Sequence, residues 1–117
     1  MATIIEDYVS FETAKLLKEK GFDEYCPESY FKMDKTLKKS GFSEWEKVNE
    51  VKAPTQSLAM KWLREVHNID ISIIPLRSHK EYLPRVESDI TSYDAIPYRK
   101  YETACETAIK YCLENLI

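Results

Sequence analysis

Three stretches of the chain carry a clean period of apolar and polar positions. In "VSFETAKLLKEKGF", Ala14 and Leu17 recur at helical spacing with Phe11 a turn earlier, and the lysines fall on the other side. Ser10 stands where an N-cap oxygen accepts an orphan backbone N–H, and Val9 and Ala14 hold the staple positions around it. Glu12 lies in the first turn and Lys18 and Lys20 in the last, as the helix dipole favours. Gly21 is placed for a left-handed stop that folds Phe22 back on Leu17.

The second stretch is "APTQSLAMKWLREVHNIDISI". Leu58, Trp62 and Val66 recur every four residues, with Ala59 and Leu63 beside them, a stripe ~100° wide on an amphipathic helix. Thr55 is the expected N-cap and Asn68 the expected left-handed stop. The period then changes to two: Ile69, Ile71 and Ile73 alternate with Asp70 and Ser72, the signature of a half-buried strand that Pro75 is expected to end. The core residues expected from this unit are Leu58, Trp62, Leu63, Val66, Ile71 and Ile73. The third stretch, "YETACETAIKYCLENLI", predicts a helix burying Ala104, Cys105, Ala108, Ile109, Cys112 and Leu116, with Leu113 beside them.

Between these units the signals are shorter. Residues 24–33, rich in Tyr and Phe, predict a strand with an edge or bulge at Pro27, and residues 44–52 predict a second one, joined by a polar turn at Gly41. Residues 80–87 predict a strand interrupted by Pro84, followed by a long connection with short pairing near Ile96. The expected order is α-β-β-α-β-β-α. It implies an α+β fold, an antiparallel sheet of about four strands packed by three helices, in one domain over residues 1–117.

Composition narrows the chemistry. The two glycines, Gly21 and Gly41, are too few and too far apart for a phosphate-cradling loop. The three cysteines are an odd number, which fits reduced, buried thiols better than a disulfide framework. Cys105 and Cys112 lie seven residues apart on one helix, roughly 10 Å, beyond the ~7 Å reach of a disulfide. Acidic neighbours raise a thiol's pKa, so Cys26 beside Glu24 and Cys105 between Glu102 and Glu106 are poor nucleophile candidates. His67 and His79 match no metal spacing, and no metal or other cofactor is expected. Trp62, Arg64, Glu65 and His67 crowd together in sequence, but on a helix they point in different directions. They read as core, solvated face and a C-terminal cation rather than a site. No run of ~18 apolar residues exists and the N-terminus has no signal-peptide pattern, so a cytoplasmic protein without membrane association is expected.

Two surfaces remain. Tyr30, Lys32, Lys35, Lys38 and Lys39 interleave aromatic and basic side chains, as in surfaces that stack and pair with single-stranded nucleic acid. The net charge of −3 argues against this as the main function, and lysines also blunt exposed strand edges. Eight tyrosines occur, and Tyr82, Tyr93 and Tyr98 gather in the last third, where tyrosine's large area at low entropic cost suits a protein contact.

The blocks "YVSFETAKLLKEKGF", "APTQSLAMKWLREVHNIDISI" and "YETACETAIKYCLENLI" together resemble a group of small uncharacterised proteins of gut Bacteroides-type bacteria, their phages and mobile elements. The group is similar to the phage ABA-sandwich domain. The blocks cover about half of the chain, and residues 24–52 and 76–99 lie outside the resemblance. It implies a layered α/β architecture and a phage or mobile-element origin, and it transfers no catalytic residue. Lys100 departs from the pattern, standing where such relatives often have a serine N-cap. The expectation is a non-enzymatic accessory protein that binds a protein partner. Weak single-stranded nucleic-acid binding through residues 30–42 is the alternative, and a small enzyme with an unrecognised site is the third possibility.

Overall fold

The computed structural model of the protein describes residues 6–38 and 50–117. Three helices and two antiparallel three-stranded sheets build it, an α+β fold as the periodicity implies. Helix α1 (Phe11–Glu19) is followed by β1 (Ser29–Phe31), β2 (Leu37–Lys38) and β3 (Glu50–Lys52). Helix α2 (Gln56–His67) leads into β4 (Asp70–Leu76), β5 (Glu81–Glu87) and β6 (Ser92–Asp94), and α3 (Tyr101–Asn115) closes the chain. The strands before α2 pair among themselves in the order β2-β1-β3, and those after it in the order β4-β5-β6. Short connections favour such local pairing, so two sheets form where one was expected. Among the described residues no helix is long and apolar enough to cross a membrane.

The helix caps form as their residues dictate. Ser10 Oγ accepts the Thr13 N–H at 3.2 Å and Thr55 Oγ1 accepts that of Leu58 at 3.2 Å. Gly21 takes a φ of 96° and lets the Phe22 N–H reach Leu17 O at 2.9 Å. Asn68 takes the left-handed conformation, and the following Ile69 N–H returns to Leu63 O at 3.1 Å. Lys100 makes no side-chain cap, so α3 begins on backbone bonds alone.

Two prolines shape the second sheet. Pro75 does not end β4; it sits inside the strand opposite Tyr82. Both backbone groups of Tyr82 are taken by Tyr98, at 2.6 and 2.8 Å, so this position of β4 needs no N–H toward β5. Since β4 is an edge strand, the missing donor costs nothing on the other side either. Pro84 acts differently. Its carbonyl accepts from Ala95 at 3.0 Å, but it has no N–H to return, so regular pairing with β6 stops at Arg85–Asp94. It resumes only at the Tyr82–Tyr98 bridge, with Ile96 exposed between. Pro27 likewise stays outside β1, which is therefore only three residues long and lies at the centre of its sheet. The described part of the second predicted strand is Glu50–Lys52, and the predicted turn at Gly41 lies outside the described residues.

The hub of the fold is α3. It packs against α1, α2, β4 and β5. Its buried residues Ala104, Cys105, Ala108, Ile109, Cys112 and Leu113 span roughly half the helix circumference at ~100° per residue, wider than a single-sided stripe. Four of the six are Ala or Cys, small enough to let neighbours approach from both sides.

Helix α2 meets its expectations at Trp62, 6% exposed, at Ala59 and at Leu63, while Leu58, Ile71 and Ile73 are half-buried. Val66 is a correction: it is 57% exposed. Its direction lies between those of Ala59 and Trp62, but the last turn of α2 runs beyond the elements that cover them. Trp62 also meets Phe22 edge-to-face at 5.4 Å.

The two positions therefore separate sharply under truncation. Trp62→Ala is expected to lower unfolding stability by ~3–5 kcal/mol in urea titration. Val66→Ala is expected to change it by less than ~1 kcal/mol. Equal losses at the two sites would contradict this packing.

Candidate functional site

One face of α1 carries Phe11, Lys15 and Lys18 at spacings of four and three, which stacks them along the helix. The β1–β2 turn folds over this face. Its geometry follows from its sequence: Asp34 accepts from both the backbone N–H and the hydroxyl of Thr36, at 3.1 and 2.7 Å. These bonds hold the Asp34 carboxyl below the usual carboxylate range. Lys35 takes the left-handed conformation at φ 60°, and its N–H closes the turn on Phe31 O at 2.8 Å. The Lys35 ammonium then reaches Glu12 at 3.2 Å and lies 5.3 Å from the Phe11 ring centre.

Between helix and turn lies a groove of about 620 Å³, within the size range of small-molecule sites. Phe11 gives it apolar surface, while Val51, also in its lining, is itself buried. Four ammonium groups, Lys15, Lys18, Lys32 and Lys35, and two carboxylates, Glu12 and Glu19, surround it. Lys35 is paired with Glu12. Among the described residues, Lys15, Lys18 and Lys32 have no carboxylate within ion-pair distance. Partial burial lowers the pKa of Lys18, and the neighbouring Lys32 ammonium lowers it further.

No family model, no curated protein and no solved structure matches this chain. Its chemistry is read from its own side chains.

The structure distributes the residues singled out in the sequence unevenly. Lys32 and Lys35 line the groove together. Tyr30 lies beneath it: its hydroxyl donates to Val9 O at 2.6 Å, and its ring meets Phe11 edge-on at 5.9 Å. Burial, with the Glu106 carboxylate nearby, raises its pKa. Lys38 belongs to β2, opposite Ser29, and Lys39 lies outside the described residues. Lys15 and Lys18 are the groove residues that the sequence did not single out. Their signal was the shared helix face with Phe11, but nothing local announces that Lys32 will stand beside Lys18.

The three tyrosines collect along the seam between the second sheet and α3. Tyr82 meets Tyr101 edge-on at 5.7 Å, Tyr93 stacks on Tyr111 at 4.1 Å, and Tyr98 bridges to Tyr82 through the backbone. The Tyr82 and Tyr93 rings thus serve packing within the molecule, while Tyr98 is tied there by its backbone. In α2, Arg64 and Glu65 form an exposed pair at 3.8 Å, while His67 turns back onto Trp62, with ring centres 4.7 Å apart.

All three thiols are buried. Burial pushes Cys26 and Cys105 up to about 11 and Cys112 to about 12. Lys52 draws Cys26 down and a hydrogen bond with Tyr101 draws Cys105 down, but burial prevails at both.

These shifts set a pH dependence. An unfolded thiol releases its proton near ~8.5, whereas the folded thiols keep theirs to about 11–12. Between those limits the unfolded state binds fewer protons, so stability falls as pH rises. Tyr8, Tyr30 and Tyr101, all raised, act in the same direction at higher pH, and Lys18, lowered, acts against them. Urea midpoints are expected to be unaffected by these thiols below pH ~8 and to drop progressively above pH ~9. A midpoint that rises over that interval would contradict the burial of the thiols.

Proposed function

We propose that this protein is a binding module whose ligand is anionic and occupies the groove between α1 and the β1–β2 turn. The observation that carries this reading is the gathering of Lys15, Lys18 and Lys32 around one concavity, with no carboxylate partner among the described residues, in a chain whose net charge is −3. Held close, like charges repel, and an anion between them converts that repulsion into attraction. The groove keeps Lys32 and Lys35 of the predicted aromatic–lysine surface and replaces its strand-long geometry with a compact pocket. The resemblance to proteins of phages and mobile elements supplies the setting of the proposal, an accessory protein of such an element.

A second reading, a protein-binding surface, draws on Ile90 and Ile96. They are 88% and 71% exposed and flank β6, next to the partly exposed Tyr93.

The test is binding of inorganic tripolyphosphate followed by amide chemical shifts. Shifts confined to residues 11–19 and 31–35, weakening steeply with added salt, are expected. Lys18→Glu together with Lys32→Glu is expected to abolish them while the remaining spectrum stays folded. No response at low salt, or a response indifferent to the double reversal, would overturn the assignment.

A further inference from the structure

The groove's charge arrangement also selects among anions. Along α1, the two carboxylates Glu12 and Glu19 stand at either end of the Lys15–Lys18 pair. Seven residues separate them, about 10 Å of helix. A nucleic-acid strand laid along this helix would bring successive phosphates against those carboxylates. A ligand with one charged group avoids both. Lys18 and Lys32 line the same groove as electrostatic neighbours, and among the described residues neither has a carboxylate within ion-pair distance. Phe11 lies on the same groove and offers its partly exposed ring to an uncharged remainder.

We infer that the groove takes a small phosphate monoester, its dianionic phosphate held between Lys18 and Lys32 and its apolar or aromatic body against Phe11. The inference rests on the anion-binding assignment above and adds to it the number of charges and the size of the ligand. A monoester gains its second negative charge near pH ~6, so binding strengthens as pH rises through that value. The ammonium groups remain the donors, as point charges that accept no fixed angle.

The experiment compares four probes on the full chain by calorimetry at low salt: phenyl phosphate, phenyl sulfate, inorganic phosphate and a thymidine 15-mer. Phenyl phosphate is expected to bind about tenfold more tightly than phenyl sulfate, which carries one charge, and more tightly than inorganic phosphate, which has no body. Its affinity is expected to rise about tenfold between pH 5 and pH 7, and Lys18→Met and Lys32→Met each to remove about that factor. Unchanged amide spectra for the two variants would show that the fold is intact. Equal binding of phosphate and sulfate esters would overturn the dianion inference and leave anion binding standing. Preference for the 15-mer would overturn the small-ligand inference in favour of a strand. Failure of all four probes would overturn both the inference and the assignment beneath it.

Discussion

Val9 is fully buried, and both of its backbone groups are held by distant parts of the chain. Its N–H donates to Pro54 O at 3.1 Å, and its carbonyl accepts the Tyr30 hydroxyl at 2.6 Å. On one side, Tyr8 bridges to Thr55 and Asp7 O accepts the Gln56 N–H at 2.8 Å. On the other, the Ser10 N–H donates to Glu106 Oε1 at 2.6 Å, across 96 residues of sequence. This strap joins the start of α1 to β1, to the start of α2 and to α3. Buried backbone groups must find partners, and here those partners are contributed by β1, by the residues that open α2 and by the hub helix. The carboxylate of Glu106 additionally faces the N-terminus of α1, where negative charge is favoured.

The groove is a consequence of this junction. Pinning Tyr30 to Val9 fixes β1 beside α1 and brings its ring against Phe11. Once β1 is fixed, Lys32 follows it to the side of Lys18, and the short turn locked by Asp34 carries Lys35 over Phe11. The Tyr30–Val9 hydrogen bond, the Phe11–Tyr30 contact and the Asp34–Thr36 bonds position the cationic cluster, and Lys15, Lys18 and Lys32 make no ion pair among the described residues. Among the described residues the cluster holds one ion pair, Lys35 with Glu12, which is exposed and contributes little to stability.

What was legible in the sequence was whatever depends on local period and local chemistry. The three helices, the capping residues Ser10 and Thr55, the stop at Asn68 and the burial of the cysteines all follow from residues within one or two turns of each other. What was illegible depends on where an element ends relative to its neighbours. Val66 has the right direction but overruns its cover. Pro75 looks like a terminator until its strand is known to be an edge. The breadth of the buried arc on α3 was visible, but not that two layers would meet there. The groove was half legible: Lys32 and Lys35 stood out beside aromatic residues, while Lys15 and Lys18 looked like the solvated face of an ordinary amphipathic helix. Tertiary contacts bring the two pairs together: the Tyr30–Val9 hydrogen bond, the Phe11–Tyr30 ring contact and the Lys35–Glu12 pair.

Native-state hydrogen exchange at the Val9 amide tests that dependence directly. If the strap holds the two halves together, this amide exchanges only when the whole molecule unfolds, and its free energy of exchange equals the global stability obtained by denaturant titration. Exchange through a low-energy local opening, with the α3 amides still protected, would show that α1 and β1 detach independently and that the junction does not organise the fold.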